Sequence, residues 1–396
     1  MTNTYHNIVE NRTDFASSPA IIKVIGVGGA GGNAVNRMVS SGLKGVEFIA
    51  LNTDAQVLRS SLASVRVQLG KECLKGLGSG GDPEKGRQAA EESKDRIIEV
   101  LKGADMIFIT AGMGGGTGTG ASPLIAEAAK NLGILTIGVV TMPFEYEQHV
   151  RIQQALEGIA ELKKHLDTLI TIPNDKVFKI IDEKTPYDKA FALIDDVLRQ
   201  SVQAVSDIIT KPGFINRDFN DVKRILKNAG EALIGMGEAA GEERALAATR
   251  KAMENPLLEN VTIQGARKIL VNITAAHGMF MKEIHEVMDL VKDAAGPDSD
   301  IAYGAVEDED MEERMKVTIL ASALPEKSRK AQKPSLLASS RPSSFISGTK
   351  SALGGGGGGI SSSGGKTTSP EEILNPPIIP PDDDKPAYLT WRKKFK

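Results

Sequence analysis

Residues 112–120 read Gly112-Met113-Gly114-Gly115-Gly116-Thr117-Gly118-Thr119-Gly120. Six glycines in nine positions remove nearly every Cβ, so the main chain can wrap an anion closely. Thr117 and Thr119 can add hydroxyl donors. An apolar run, Met106-Ile107-Phe108-Ile109-Thr110, leads into the loop. A helical pattern leaves it near Ala121, with Pro123 expected in the first turn, where a missing N–H has no consequence. Strand, glycine turn and helix start together present backbone N–H groups to a phosphate. A helix beginning directly after the loop argues against a plain flexible surface loop.

Two further glycine clusters follow the same plan. Gly26-Val27-Gly28-Gly29-Ala30-Gly31-Gly32 comes after an apolar strand at 20–26 and precedes a helical run at 33–40 that opens on Asn33. Gly26, Gly28 and Gly31 satisfy dinucleotide-binding spacing, and Asp54 falls where a ribose-binding acid is expected, just past Asn52 at the end of the strand at 46–51. The first sixty residues therefore suit a nicotinamide cofactor as well as another nucleotide. Gly76-Leu77-Gly78-Ser79-Gly80-Gly81 is the third cluster. Several loops converging on one anion suit a triphosphate. No Gly-x-x-x-x-Gly-Lys-Ser/Thr motif occurs, so the phosphate charge must be met by N–H dipoles and a metal ion, read as Mg²⁺ held mainly through the phosphates with no direct protein ligand.

The elements that must carry these loops alternate as strand and helix. Helices are expected at 86–101 and 121–132, and strands at 106–110, 134–141 and 168–172. Such alternation specifies an α/β fold with a doubly wound, mostly parallel, Rossmann-like sheet, and ligands bind at the carboxyl ends of its strands. Residues 188–210 form one long amphipathic helix with Phe191, Ile194, Val197, Leu198, Val202, Val205 and Ile208 at helical spacing. Beyond it, strands at 269–274 and 315–321 mark a second, smaller α+β domain.

Composition bounds the rest. The 396 residues are 41% hydrophobic, ample for two domains and a tail. A formal net charge of −3 gives no sign of nucleic-acid binding. The single cysteine, Cys73, excludes an internal disulfide and fits a reducing compartment. No apolar run is long enough to span a membrane, and the first residues lack the apolar core of a signal peptide. His277 and His285 have no further ligands nearby in sequence, so no metal site is read there. The expected organisation is a disordered arm at 1–19, a nucleotide domain at 20–186, a central helix at 187–211, a second domain at 212–324, a Ser/Gly/Pro-rich linker at 325–384 and a terminal peptide at 385–396.

Gly114-Gly115-Gly116-Thr117-Gly118-Thr119-Gly120 resembles the signature of the tubulin/FtsZ family of GTPases, and the likeness extends over about residues 20–323. It implies GTP and GDP as ligands. It brings to the nucleotide Gly28, Gly29, Ala30, Gly31, Asn33, Asn52, Gly80 and Gly112, besides the seven residues just quoted. By the same resemblance Glu147 and Arg151 lie near the nucleotide, although a plain helix pair four residues apart has the same spacing. Asn174 touches ribose or base. Phe191 stacks on guanine, unless it is simple core packing, and Asp195 accepts from the guanine donors, with Asp196 a competitor. An ionised Asp suits the N1–H and N2–H₂ donors of guanine and repels the adenine N1 lone pair.

Asn216-Arg217-Asp218-Phe219-Asn220-Asp221 resembles the catalytic loop of the family. Asp218 and Asp221 would orient an attacking water with help from Asn216, or else cap the next helix. The loop leaves the far end of the long helix. The resemblance implies that it completes the site of the next copy in a head-to-tail filament, so that hydrolysis depends on assembly. The implied setting is the cytoplasm at the bacterial division site. Residues 386–394, Pro386-Ala387-Tyr388-Leu389-Thr390-Trp391-Arg392-Lys393-Lys394, resemble a terminal peptide that docks on membrane-tethering division proteins, though Trp391 and the extra basic residues depart from the usual form. Ala275-Ala276 and Ala321-Ser322-Ala323-Leu324 stand where the family favours glycine-containing turns. The rival readings are a nicotinamide oxidoreductase and a GTP-binding regulator that neither hydrolyses nor polymerises.

Overall fold

The computed structural model describes residues 20–177, 185–211, 213–215, 218–255, 263–276 and 278–323. The first half runs β1 (Ile22–Val27), α1 (Gly28–Ser40), β2 (Glu47–Asn52), α2 (Ala55–Arg59), β3 (Val65–Gln68), α3 (Pro83–Glu92), α4 (Lys94–Leu101), β4 (Met106–Gly112), α5 (Gly116–Asn131), β5 (Leu135–Met142), α6 (His149–Leu162), β6 (Thr168–Pro173) and α7 (Asn174–Val177). The long helix α8 (Tyr187–Thr210) follows. Then come β7 (Gly213–Ile215), α9 (Phe219–Leu226), β8 (Gly230–Ala240), α10 (Arg244–Met253), β9 (Lys268–Ala275), α11 (Met281–Ala295), β10 (Asp300–Glu307) and β11 (Arg314–Ser322).

The strands form one sheet in the order β3-β2-β1-β4-β5-β6-β8-β11-β9-β10-β7. All pairs from β3 to β6 are parallel. The β6–β8 ladder is also parallel but has only the pairs Thr168↔Gly230, Leu169↔Glu231 and Ile170↔Ala232. β11 runs antiparallel to both of its neighbours, β8 and β9. Parallel strands are covered on both faces, and β1 is accordingly buried at every position. Successive side chains part company: Val24 and Phe108 enter one cluster, Ile25 and Ile107 the other. Val197, Leu198, Val202, Val205 and Ile208 of α8 join the first cluster together with Ile234, Leu270 and Leu320 from the second half. The helix therefore contributes side chains to a core shared by both halves of the sheet. Asp167, just before β6, staples the short ladder. Its carboxylate accepts from Thr136 N at 3.0 Å and Asn228 N at 3.2 Å.

Three local expectations give way to tertiary contacts. α5 begins at Gly116, not near Ala121, so Pro123 lies inside the helix and not in its first turn. Glycines are poor helix formers, but these are required by packing. A Cβ on Gly116 would stand 2.2 Å from Ser79 Oγ, and one on Gly120 would stand 1.9 Å from the Pro83 carbonyl oxygen. The helix expected at 86–101 is two helices broken at Ser93, whose Oγ accepts from Gly70 N at 3.0 Å. α1 starts within the first glycine cluster at Gly28, whose φ is +72°. Ala323 keeps the left-handed turn without glycine, at φ +54°, and its N–H donates to Ala229 O at 3.2 Å.

Candidate functional site

A cleft of about 400 Å³ opens at the carboxyl ends of the parallel strands. Three glycine loops meet there at Thr117. Its hydroxyl shares a 2.6 Å hydrogen bond with Thr53 Oγ1, beyond β2, and a 3.2 Å one with Ser79 Oγ in the third cluster. Gly28 brings in the first loop, since a Cβ there would lie 3.0 Å from Gly118 N.

The expected residues divide by position. Gly29, Ala30 and Asn33 of the first loop line the cleft, with Gly112, Gly115, Gly116, Thr117 and Gly118 of the second. A Cβ on Gly29 or Gly115 would meet nothing within 4 Å, so these two glycines leave real space in front of the backbone. Gly28, Gly31, Asn52, Gly80, Gly114, Thr119 and Gly120 do not line it. Gly31 is small because the Thr110 carbonyl would lie 2.2 Å from its Cβ, and Gly114 because Arg151 O would lie at 2.6 Å. Thr119 turns its hydroxyl inward to accept from Gly114 N at 2.8 Å. Asn52 accepts from Asp54 N at 3.2 Å. Asp54, the candidate ribose acid, instead caps α2, accepting from Gln56 N at 2.8 Å and Val57 N at 3.1 Å.

The opposite wall comes from α6, α7 and α8. Glu147 and Arg151 both line the cleft and pair at 2.8 Å. They do not belong to one helix: Gln148, at φ +81°, separates a turn holding Glu147 from α6. The Glu147 carboxylate also accepts, through Oε1, from Phe144 N at 2.9 Å. Asn174 is buried at the start of α7, and its Oδ1 has no hydrogen-bond partner among the described residues. Phe191, Ile194, Asp195 and Leu198 form the cleft-facing stripe of α8. Burial pushes the Asp195 carboxyl up to about 6, against the pull of Arg37 and with a push from Asp196. Asp196 faces elsewhere. Burial alone would raise its carboxyl, but hydrogen bonds from Arg199 at 2.6 Å and Gln200 at 2.6 Å hold it below the usual range. Among the described residues lining the cleft, Arg151 is the one cation, so an anion there meets chiefly N–H groups.

The acid pair lies apart from this cleft. Asp218 caps α9, its Oδ1 accepting from Asp221 N at 2.8 Å, and Asp221 is half-buried in the first turn. From Asp195 to Thr210, α8 rises about 22 Å at ~1.5 Å per residue, and both acids follow its far end. Asn216 and residues 386–394 lie outside the described residues. Ser79, Gly81, Thr53, Met113, Thr141, Pro143 and Ile194 belong to the site or its support and went unassigned from sequence. Ser79 and Gly81 sit within the third glycine cluster, and Ile194 follows Phe191 by three, so spacing held a signal for them; Thr141 and Pro143 carried none.

Known proteins share both the sequence pattern and the fold. The sequence model of the Tubulin/FtsZ family GTPase domain matches residues 21–182, and that of the FtsZ family C-terminal domain matches residues 230–325. The cell division protein FtsZ of Pseudomonas aeruginosa is 51% identical over 311 residues, covering 78% of this chain and 79% of that one. The empty FtsZ dimer of M. jannaschii superposes with a TM-score of 0.74 at 41% identity, over 78% of this chain and 89% of that one. The GTPγS-bound CetZ2 protofilament of Haloferax volcanii, 21% identical, shares the fold with a TM-score of 0.66 over 78% of this chain and 98% of that one. The chain therefore belongs to the FtsZ family within the tubulin/FtsZ GTPases, as a GTP-binding, GTP-hydrolysing protein of the cell-division cytoskeleton.

Proposed function

We propose that the cleft holds GTP or GDP with the triphosphate on the loops around Thr117 and the base between Phe191 and Asp195. The N–H groups of residues 115–118 and the start of α1 take the phosphates, and Arg151, held by Glu147, adds a nearby cation. Asn174 Oδ1 is available to accept from the ribose or base. The ionised Asp195 carboxylate accepts from guanine N1–H and N2–H₂. Mg²⁺ would be held mainly through phosphate oxygens, as it is in nucleotide sites generally. Such an ion would spread the charge that develops on the phosphates.

Copies of the chain stack head-to-tail, and Asp218, Asp221 and Asn216 of one copy complete the cleft of the next. Water attacks the terminal phosphorus, the bond to the bridging oxygen breaks, and GDP and phosphate leave. The observation that carries this reading is the length of α8: the base-end residues Phe191 and Asp195 sit near its start and the two acids follow its last turn. A heterologous contact of this kind does not close and yields a filament. The M. jannaschii dimer and the CetZ2 protofilament support self-association. Residues 20–186 and 212–324 then act as the two faces of each joint. The protein works in the cytoplasm at the division site, with residues 386–394 as the docking peptide for membrane-tethering partners.

Light scattering on addition of GTP, with GDP as the control, tests assembly. Mixing a cleft variant, Asn174→Ala, with an acid-loop variant, Asp221→Ala, tests the shared site. Turnover should reappear in the mixture; if it never does while dilute monomers hydrolyse GTP at full rate, the shared site is wrong. Tight NAD binding without GTP binding would instead favour the oxidoreductase.

A further inference from the structure

Phe144 lines neither the cleft nor the protein surface, yet it touches both ends of the site. The residue is 1% exposed and packs with Ile194 in a small apolar cluster separate from the main cores. Its ring meets the Phe191 ring edge-on, with centroids 5.6 Å apart and an interplanar angle of 72°. Aromatic pairs favour this edge-to-face geometry. Tyr146, itself exposed, stacks on the Phe144 ring at 5.0 Å. The backbone of the same residue holds Glu147 twice. Phe144 N donates to Glu147 Oε1 at 2.9 Å, and Glu147 N donates to Phe144 O at 3.0 Å. Glu147 in turn holds Arg151. Ring and amide of one residue thus reach Phe191 on α8 and the ion pair at the start of α6.

We propose that Phe144 is a positioning residue that couples the base end of the cleft to the Glu147–Arg151 pair, so that a seated base orders the arginine that faces the cleft. This deepens the reading above and rests on it. When a base stacks on Phe191, that ring is fixed, the edge of Phe144 is fixed with it, and the amide that orients Glu147 loses freedom. A nucleotide whose base leaves Phe191 unsupported binds its phosphates against a looser Arg151. The coupling is reciprocal: weakening Glu147 must weaken the benefit of the base by the same factor.

A double-mutant cycle reads this directly. Phe191→Ala and Glu147→Gln are measured singly and together by equilibrium binding of GDP, in the full chain and again in a Phe144→Leu background. Contacting or coupled residues deviate from additivity by about twofold or more in affinity. The expected result is such a deviation in the parent chain and additive behaviour in the Phe144→Leu background. A second readout is the ratio of the affinity for GDP to that for ribose 5-diphosphate, which lacks the base. This ratio should fall in Phe144→Leu while the far-UV spectrum stays unchanged. Should Phe144→Leu fail to fold, Phe144→Met takes its place in the cycle and is read in the same way. Additive effects of Phe191→Ala and Glu147→Gln overturn the coupling, as does a deviation that survives Phe144→Leu. Failure of the parent chain to bind GDP would sink the nucleotide reading itself, a different outcome.

Discussion

Arg151 and Glu147 are joined by a 2.8 Å ion pair across a backbone break, with Gln148 at φ +81° and ψ +144° between them. A non-glycine residue in this region is strained by roughly 1–3 kcal/mol. The strain allows a four-residue spacing to bridge two elements and bring both side chains to the cleft. Gln148→Gly should relieve it, offset by about 0.5–1 kcal/mol of added backbone entropy in the unfolded chain. We expect a net gain of about 1 kcal/mol in denaturant unfolding, and a loss of about 0.5–1 kcal/mol, the entropy cost alone, would show that the residue is not strained.

Ala323 provides an independent test of the same physics away from the cleft. It holds φ +54° after β11 with its N–H engaged. After the same entropy offset, Ala323→Gly should gain about 0.5 kcal/mol and raise the melting temperature by about one or two degrees, with GTP turnover unaltered.

If Asp195 reads guanine as proposed, its carboxyl, pushed up to about 6 by burial, should make guanine binding pH-dependent. The guanine donors need the ionised form, so binding pulls the pKa down and releases a proton wherever the free carboxyl is protonated. GDP affinity should be flat above about pH 7 and fall about tenfold per unit below about pH 6. Without nucleotide the sign reverses: this carboxyl is charged against its surroundings, so its unfavourable contribution to stability grows as pH rises from the ordinary carboxylate value of 3.8 to about 6. Asp195→Asn should therefore melt higher than the parent at neutral pH when empty, bind GDP weakly, and lose the pH dependence. Calorimetric titration and thermal melts at several pH values check all three.

Two glycine substitutions should separate packing from ligand contact. Gly120→Ala would force a Cβ to 1.9 Å from Pro83 O and 2.6 Å from Arg87 N, both backbone atoms of α3 that cannot give way cheaply. It should cost about 3 kcal/mol or more of stability, or prevent folding. Gly29→Ala meets nothing within 4 Å and should fold normally while losing nucleotide affinity, because the new methyl occupies the space in front of the loop. A Gly29→Ala variant with parental affinity would place the phosphates elsewhere.

Asp218 is both a helix cap and an acid expected to act on water. Asp218→Asn keeps an oxygen able to accept from Asp221 N and should leave stability within about 0.5 kcal/mol of the parent. GTP turnover should nonetheless fall by about a hundredfold or more. Asp218→Ala should lose about 1 kcal/mol as well. Parental turnover in Asp218→Asn would reduce the residue to its capping role.

Residue types alone determined the parallel α/β order, the three glycine loops and the long apolar stripe of α8. Each of these rests on local chemistry: absent Cβ atoms, alternation of strand and helix, and a helical repeat of apolar positions. Which glycine faces the cleft and which packs against residues 79–87 was decided only in three dimensions, since the clashing partners of Gly116 and Gly120 lie more than thirty residues away. The same holds for the meeting of Thr53 and Ser79 at Thr117, 64 and 38 residues away in the chain. Asp195 and Asp196 are alike as neighbours in sequence. They differ only because helix rotation turns one into the cleft and gives the other to Arg199 and Gln200.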